Sequence, residues 1–148
     1  MRVYIPATVG QLREIASGSW EPGRGFAATE RMLEIAPQLD PDEVAEEVIH
    51  AAAMHSALGL GSPLRVVVVV DHPRSDVGAA AGAEDHPAAV SVEGRIRLDS
   101  IACLFVDEPG AEPDVAGAVA ADEAALDRLS ERDLLWYDVS EIDGISLT

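Results

Sequence analysis

Five consecutive valines, Val66 to Val70, constrain this chain more than any other feature. β-Branched side chains favour extended backbone, and successive residues of a strand point to opposite faces. A strand that is valine on both sides needs both faces covered, so Leu64 to Val70 reads as the central strand of a sheet. Val3-Tyr4-Ile5, ended by Pro6, reads as a first strand, and Phe26-Ala27-Ala28 as a short second one. Val90 and Val92, then Ile96 and Leu98, alternate on either side of Glu93-Gly94 and predict a tight hairpin. Ile101 to Val106 and Leu134 to Val139 complete the strand set, while residues 71–87 read as loop.

Helix signals fill the gaps. Asp40 as N-cap, Pro41 at the first helical position and Glu43 completing a capping box predict a helix over about Asp42 to Leu58. Its spacing puts Val44, Val48, Ala51, His55 and Leu58 on one face. Thr8 with Gln11 starts an earlier helix that Gly18 stops, and Thr29 caps a short one that Pro37 ends. Pro113 to about Leu129 reads as one further helix, and the tail beyond Asp143 as frayed. The order β-α-β-α-α-β-β-β-α-β fits one α+β domain over residues 1–148. The expected form is a two-layer sandwich, a mixed or antiparallel sheet with helices packed on one face, ferredoxin-like in style.

Composition narrows the function classes. Ten cationic side chains, all arginine, face 27 carboxylates, for a formal charge of −17 in 148 residues. A surface so acidic repels phosphate backbones and anionic lipid, which excludes nucleic-acid or membrane binding through a basic patch. The missing lysines read as the arginine preference of a high-GC genome, with salt adaptation as the alternative. Cys103 is alone, so no internal disulfide exists, and it sits in the apolar run IACLFV as a core residue of a reducing compartment. No apolar run approaches the roughly 20 residues of a membrane helix, and no secretory leader is visible. The expectation is a cytoplasmic protein.

No catalytic signature stands out. Glu47-x-x-His50 is a single copy of an element that di-iron bundles need twice. His50 and His55 lie five residues apart, about 140° in direction on a helix, so they are poorly placed to share an ion; an exposed His50 and a core His55 are the expectation. Asp71-His72-Pro73 recurs as Asp85-His86-Pro87 at opposite ends of one loop. If the flanking strands are adjacent, Asp71, His72, Asp85 and His86 form a set competent for a divalent metal or for acid/base work, against the alternative that Asp, His and Pro are common turn residues. Arg24, between Gly23 and Gly25, is a candidate for holding one carboxylate or phosphate, or simply lies in a solvated connection. Trp136 and Tyr137 must face opposite sides of their strand. One is then core and the other marks a contact surface, with Tyr4 as a further aromatic candidate.

Five stretches carry a resemblance: Met1-Arg2-Val3-Tyr4-Ile5-Pro6-Ala7-Thr8, Phe26-Ala27-Ala28-Thr29, the helix with Glu46-Glu47, the strand Arg65 to Asp71, and Leu134-Leu135-Trp136-Tyr137. Together they resemble a family of small proteins from high-GC Gram-positive (actinobacterial) bacteria, domain of unknown function 6912. The resemblance implies a bacterial, cytoplasmic, single-domain protein, and it brings no reaction, cofactor or catalytic residue with it.

Three roles are weighed. The first is a non-enzymatic accessory or regulatory protein acting through protein contacts or self-association, the latter as a homodimer that covers a valine-rich sheet face, with no cofactor. The second is a small-ligand or divalent-metal binder, or an enzyme, using the two Asp-His-Pro segments. The third is an acidic decoy for a basic, nucleic-acid-binding partner.

Overall fold

The computed structural model describes residues 1–80 and 86–145. The fold is α+β. One open sheet in the order β4-β5-β2-β1-β3-β6-β7 is built from β1 (Arg2–Ala7), β2 (Arg24–Phe26), β3 (Val66–Asp71), β4 (Val77–Ala79), β5 (Ala89–Val92), β6 (Ile101–Asp107) and β7 (Leu134–Tyr137). Every ladder among the described residues is antiparallel. The valine run is β3, an interior strand between β1 and β6, and all five valines are buried.

The two faces of β3 are covered by different parts of the chain. Val66, Val68 and Val70 join Val3, Ile5, Leu104, Trp20, Leu12, Ile15, Ile142 and Ile145 in one cluster. That side is closed by α1 (Leu12–Ser17) and the 3-10 turn Val139–Gly144. Val67 faces the other way, with Phe26, Met32, Val44, Val48 and Ala52. Here lie α2 (Glu30–Ile35) and the long α3 (Pro41–Leu58), while α4 (Glu112–Val119) and α5 (Glu123–Glu131) pack on the end of α3 through Ala57, Val115, Ala118 and Leu129. The main helices thus form one layer. The opposite valine face, which the dimer reading left to a second copy, is closed by the chain's own short elements.

Local chemistry explains most boundaries. Asp40 accepts from the Glu43 backbone N–H and the Glu43 side chain accepts from the Asp40 N–H, the expected capping box. Ser56, buried on α3, donates to the Ala7 carbonyl at 2.5 Å and accepts from the Val66 N–H at 3.0 Å, fixing the helix over β1 and β3. Gly18 ends α1 in the left-handed region.

Several expectations change. β1 does not end at Pro6 but runs through it to Ala7, since proline's φ suits extended backbone and only one ladder donor is lost. The second strand starts at Arg24 rather than Phe26, which moves Arg24 from a loop into the sheet. Residues 77–79, read as loop, form the edge strand β4 on β5. The predicted hairpin is absent: β5 pairs with β2 and β4, so Ile96 has no ladder to join. It is buried instead, its N–H donating to the Trp20 carbonyl. The predicted helix over 113–129 is two helices, because Ala121 takes a positive φ of 63° and Asp122 caps α5. The tail is anchored as far as Ile145, which is buried; residues 146–148 lie outside the described residues.

One ion pair seals the β3–β6 junction. Arg65 donates to Asp107 through Nε at 2.9 Å, Nη2 at 2.8 Å and its backbone N–H at 2.9 Å, with both residues buried. Removing one partner of such a pair leaves a charge out of water with nothing to answer it. Asp107→Ala should therefore cost about 3–5 kcal/mol in urea unfolding. Arg97→Ala, which breaks the exposed pair with Asp99, should cost less than about 1 kcal/mol. Equal effects would contradict the assignment.

Candidate functional site

Two features stand apart from the packed core: a histidine-lined pocket on the α3 face and the open strand edge at β7.

The pocket arises from the way α3 sits. Its most buried positions are Val44, Val48, Ala52, Ala53, Ser56 and Ala57. The predicted stripe is thereby split, and Ala51, His55 and Leu58 fall to the flank, where they line a pocket of about 350 Å³ with Arg24, Phe26, Glu47, His50, Met54, Gly59 and His86. Phe26 is its floor. The His55 ring centroid lies 5.8 Å from that of Phe26, the His86 ring meets it edge-on at 5.9 Å, and the Arg24 guanidinium carbon stands 5.7 Å from the ring centre. Gly59 makes room for His55, since a Cβ at Gly59 would come within 2.5–2.8 Å of three atoms of the imidazole.

Burial against Phe26 pushes the His86 pKa below its ordinary value, and the cations Arg31 and His50 push the same way, while Glu47 opposes them. His86 is exposed in overall area, so only part of its hydration is lost and the effect on stability is small. Its sign is definite. The unfolded chain binds the proton more readily, so stability is present above pH 6.5 and declines as pH falls below it.

The residues singled out from sequence divide between several places. Arg24 and His86, proposed for unrelated reasons, meet in this pocket, joined by His50 and His55. His55 is half-buried on the pocket wall instead of filling the core. Asp71 is elsewhere, accepting two hydrogen bonds from Arg2, whose guanidinium holds its carboxyl below the usual range. His72 is buried, with Nε2 2.7 Å from the Glu93 carbonyl and its own backbone bonded to Met1. No described residue bonds to both Asp-His-Pro segments. Asp85 lies outside the described residues. Among those described, no group of three or more His, Cys, Asp or Glu side chains could hold a metal ion.

At the other side of the molecule β7 is the last strand of the sheet, paired among the described residues only with β6. Register places Trp136 beside Phe105 and Val67 on the α3 face, and Tyr137 beside Leu104 and Val68 on the opposite face. Tyr137 packs against the larger cluster, whereas Trp136 is 58% exposed and its neighbour Leu135 38%. Burial pushes the Cys103 thiol pKa up, opposed by the nearby Trp136 side chain. Tyr4 shares the Trp136 face, in line with Val69 and Cys103. Half-buried, it supports the α3 cluster.

No helix among the described residues is long and apolar enough to cross a membrane. The model of a family of unknown function, DUF6912, matches residues 1–145. No curated protein and no solved structure matches the chain.

The pocket geometry yields a titration test. Followed by NMR of ring protons, His86 should titrate below 6.5, and Glu47→Gln should lower it further by removing a carboxylate that favours its charged form. A His86 midpoint above 6.5, or a rise in the variant, would contradict the stated environment.

Proposed function

We propose that this chain, which belongs to the family of unknown function DUF6912, is a non-enzymatic accessory protein that works by contact in the cytoplasm. The contact element is the β7 edge, and the observation that carries the reading is Trp136, 58% exposed on a strand with no outer neighbour among the described residues. Open edges invite pairing, and proteins usually blunt them with short strands, charges or proline. The far edge is blunted in this way: β4 has three residues, Val77-Gly78-Ala79, and offers little apolar surface. β7 presents Leu135 and Trp136 instead, a large aromatic of the kind that anchors interfaces.

The flanks of β7 define the partner. Glu131 and Asp133 precede the strand, and Asp138 and Glu141 follow it. In a two-fold pairing of β7 with a second β7, Asp133 of one copy would lie opposite Asp138 of the other, a destabilising like-charge pair. A formal charge of −17 per chain adds to that repulsion. The fitting occupant is an extended segment of another protein, apolar in the middle and basic at both ends, added as an eighth strand. This reading retains the attraction to basic partners that underlies the decoy idea, and it needs no mimicry of nucleic acid.

A photo-crosslinking residue at position 136, used in extract of the native host, tests the proposal. One discrete heterologous adduct is expected, lost between about 0.1 and 0.5 M salt as the flanking charges are screened, with none from the same residue at Ile35 on α2. Adducts only with the chain itself, or the same adduct at both positions, would contradict it.

A further inference from the structure

We infer that the groove between α3, the end of α5 and the start of β7 receives a basic side chain, arginine or lysine, of the segment that docks on β7. The inference rests on the β7 reading and deepens it, because it fixes which residue of the docking segment goes where.

Register carries the geometry. The groove has a volume of about 740 Å³ and a floor that includes Arg65, Phe105 and Leu134. Asp107 pairs with Leu134, and Phe105 with Trp136. Alternation along each strand puts these four side chains on the α3 face. A strand added outside β7 extends both rows, because directly paired residues share a face, and its backbone lies about 4.8 Å beyond β7. The residue opposite Leu134 therefore borders the groove. The residue opposite Trp136, two positions away, stands beside the indole. The one between them faces the other side, next to the exposed Leu135.

Charge selects the side chain that enters. Three carboxylates line the groove, Glu46 and Glu47 from α3 and Asp133 from the turn into β7, and none makes an ion pair with a described residue. The two arginines of the lining are already answered, Arg65 by Asp107 and Arg132 by Asp114 and Glu108. The stretches outside the described residues, Ala-Gly-Ala-Glu-Asp at 81–85 and Ser-Leu-Thr at 146–148, contain no cationic side chain that could neutralise the three acids. Ile49, Phe105 and Leu134 offer apolar surface to the stem of a long basic side chain while its head reaches the carboxylates. A bare metal ion fits less well, since no described group of three or more His, Cys, Asp or Glu could hold one. Run antiparallel, like every ladder among the described residues, the docking segment reads in chain order: apolar opposite Trp136, apolar opposite Leu135, basic opposite Leu134.

The test uses the full chain and two blocked, fluorescently labelled peptides. One is Arg-Thr-Val-Val-Arg-Thr; the other carries citrulline, the uncharged isostere of arginine, as its second basic residue. Binding is read by anisotropy. The arginine peptide should bind about tenfold more tightly than the citrulline peptide, the worth of a hydrogen-bonded charge. Replacing both acids of the helix wall, Glu46→Gln with Glu47→Gln, should remove most of that difference, and both positions are exposed, so the fold is kept. Trp136→Ala should weaken both peptides by a similar factor and preserve their ratio. Equal binding of the two peptides, together with loss of both in Trp136→Ala, would overturn this inference and leave the β7 reading standing, and so would an arginine preference that survives the two glutamine substitutions. Binding indifferent to Trp136→Ala, or no binding of either peptide, would overturn the β7 reading and this inference with it.

Discussion

Everything in this structure depends on burying β3 from both sides. A strand of five valines has no polar face to give to water, so the chain must supply two covers, and the rest of its architecture follows from how unequal they are. On one side a single 18-residue helix, α3, lies across β1 and β3. On the other the work is divided among α1, Trp20, Ile96 and the 3-10 turn that carries Ile142. At about 25 cal/mol per Å² of apolar surface removed from water, each such side chain contributes about 1.5–3 kcal/mol. The short elements are therefore necessary parts of the fold, and the last described residues are as much core as the first strand.

The unequal covers also produce the two functional features. One straight helix cannot close a twisted seven-stranded sheet along its whole width. Toward β2 and β5 the flank of α3 overhangs Phe26 and leaves the pocket. Toward β7 the helical layer gives out, and Trp136 stands exposed at the margin. Four other arginines are committed to ion pairs within the fold. Arg65 holds Asp107, Arg2 holds Asp71, and Arg128 and Arg132 share Asp114.

How much of this could be read from the sequence varies with the range of the interaction involved. β3 and the ends of α3 were legible because valine runs and capping boxes act over a few residues. The α+β class followed from them. β4 was not legible, since Val77-Gly78-Ala79 becomes a strand only through pairing with β5. Nor was the break at Ala121, where packing of Gly117 against Ala125 brings α4 and α5 together and overrides helix propensity. The Arg65–Asp107 pair needs the β3–β6 register, which joins positions 42 apart. At the pocket, nothing local in the sequence links Arg24 to His86. Their meeting depends on β2 pairing with β5, and about 140° of helix separates His50 from His55. A cavity wrapping the flank of a helix tolerates that angle where a single metal ion does not. The one local signal was a histidine four residues before a glycine at a helix end, His55 and Gly59.

The proposed role requires β7 to be a surface that another protein covers. Native mass spectrometry of the untagged chain, isolated gently from its source at low salt, addresses this directly. The account predicts the chain in a one-to-one complex with a different protein, and the free chain when Trp136 is replaced by alanine. A homodimer, or a heterologous complex that persists in Trp136→Ala, would contradict it.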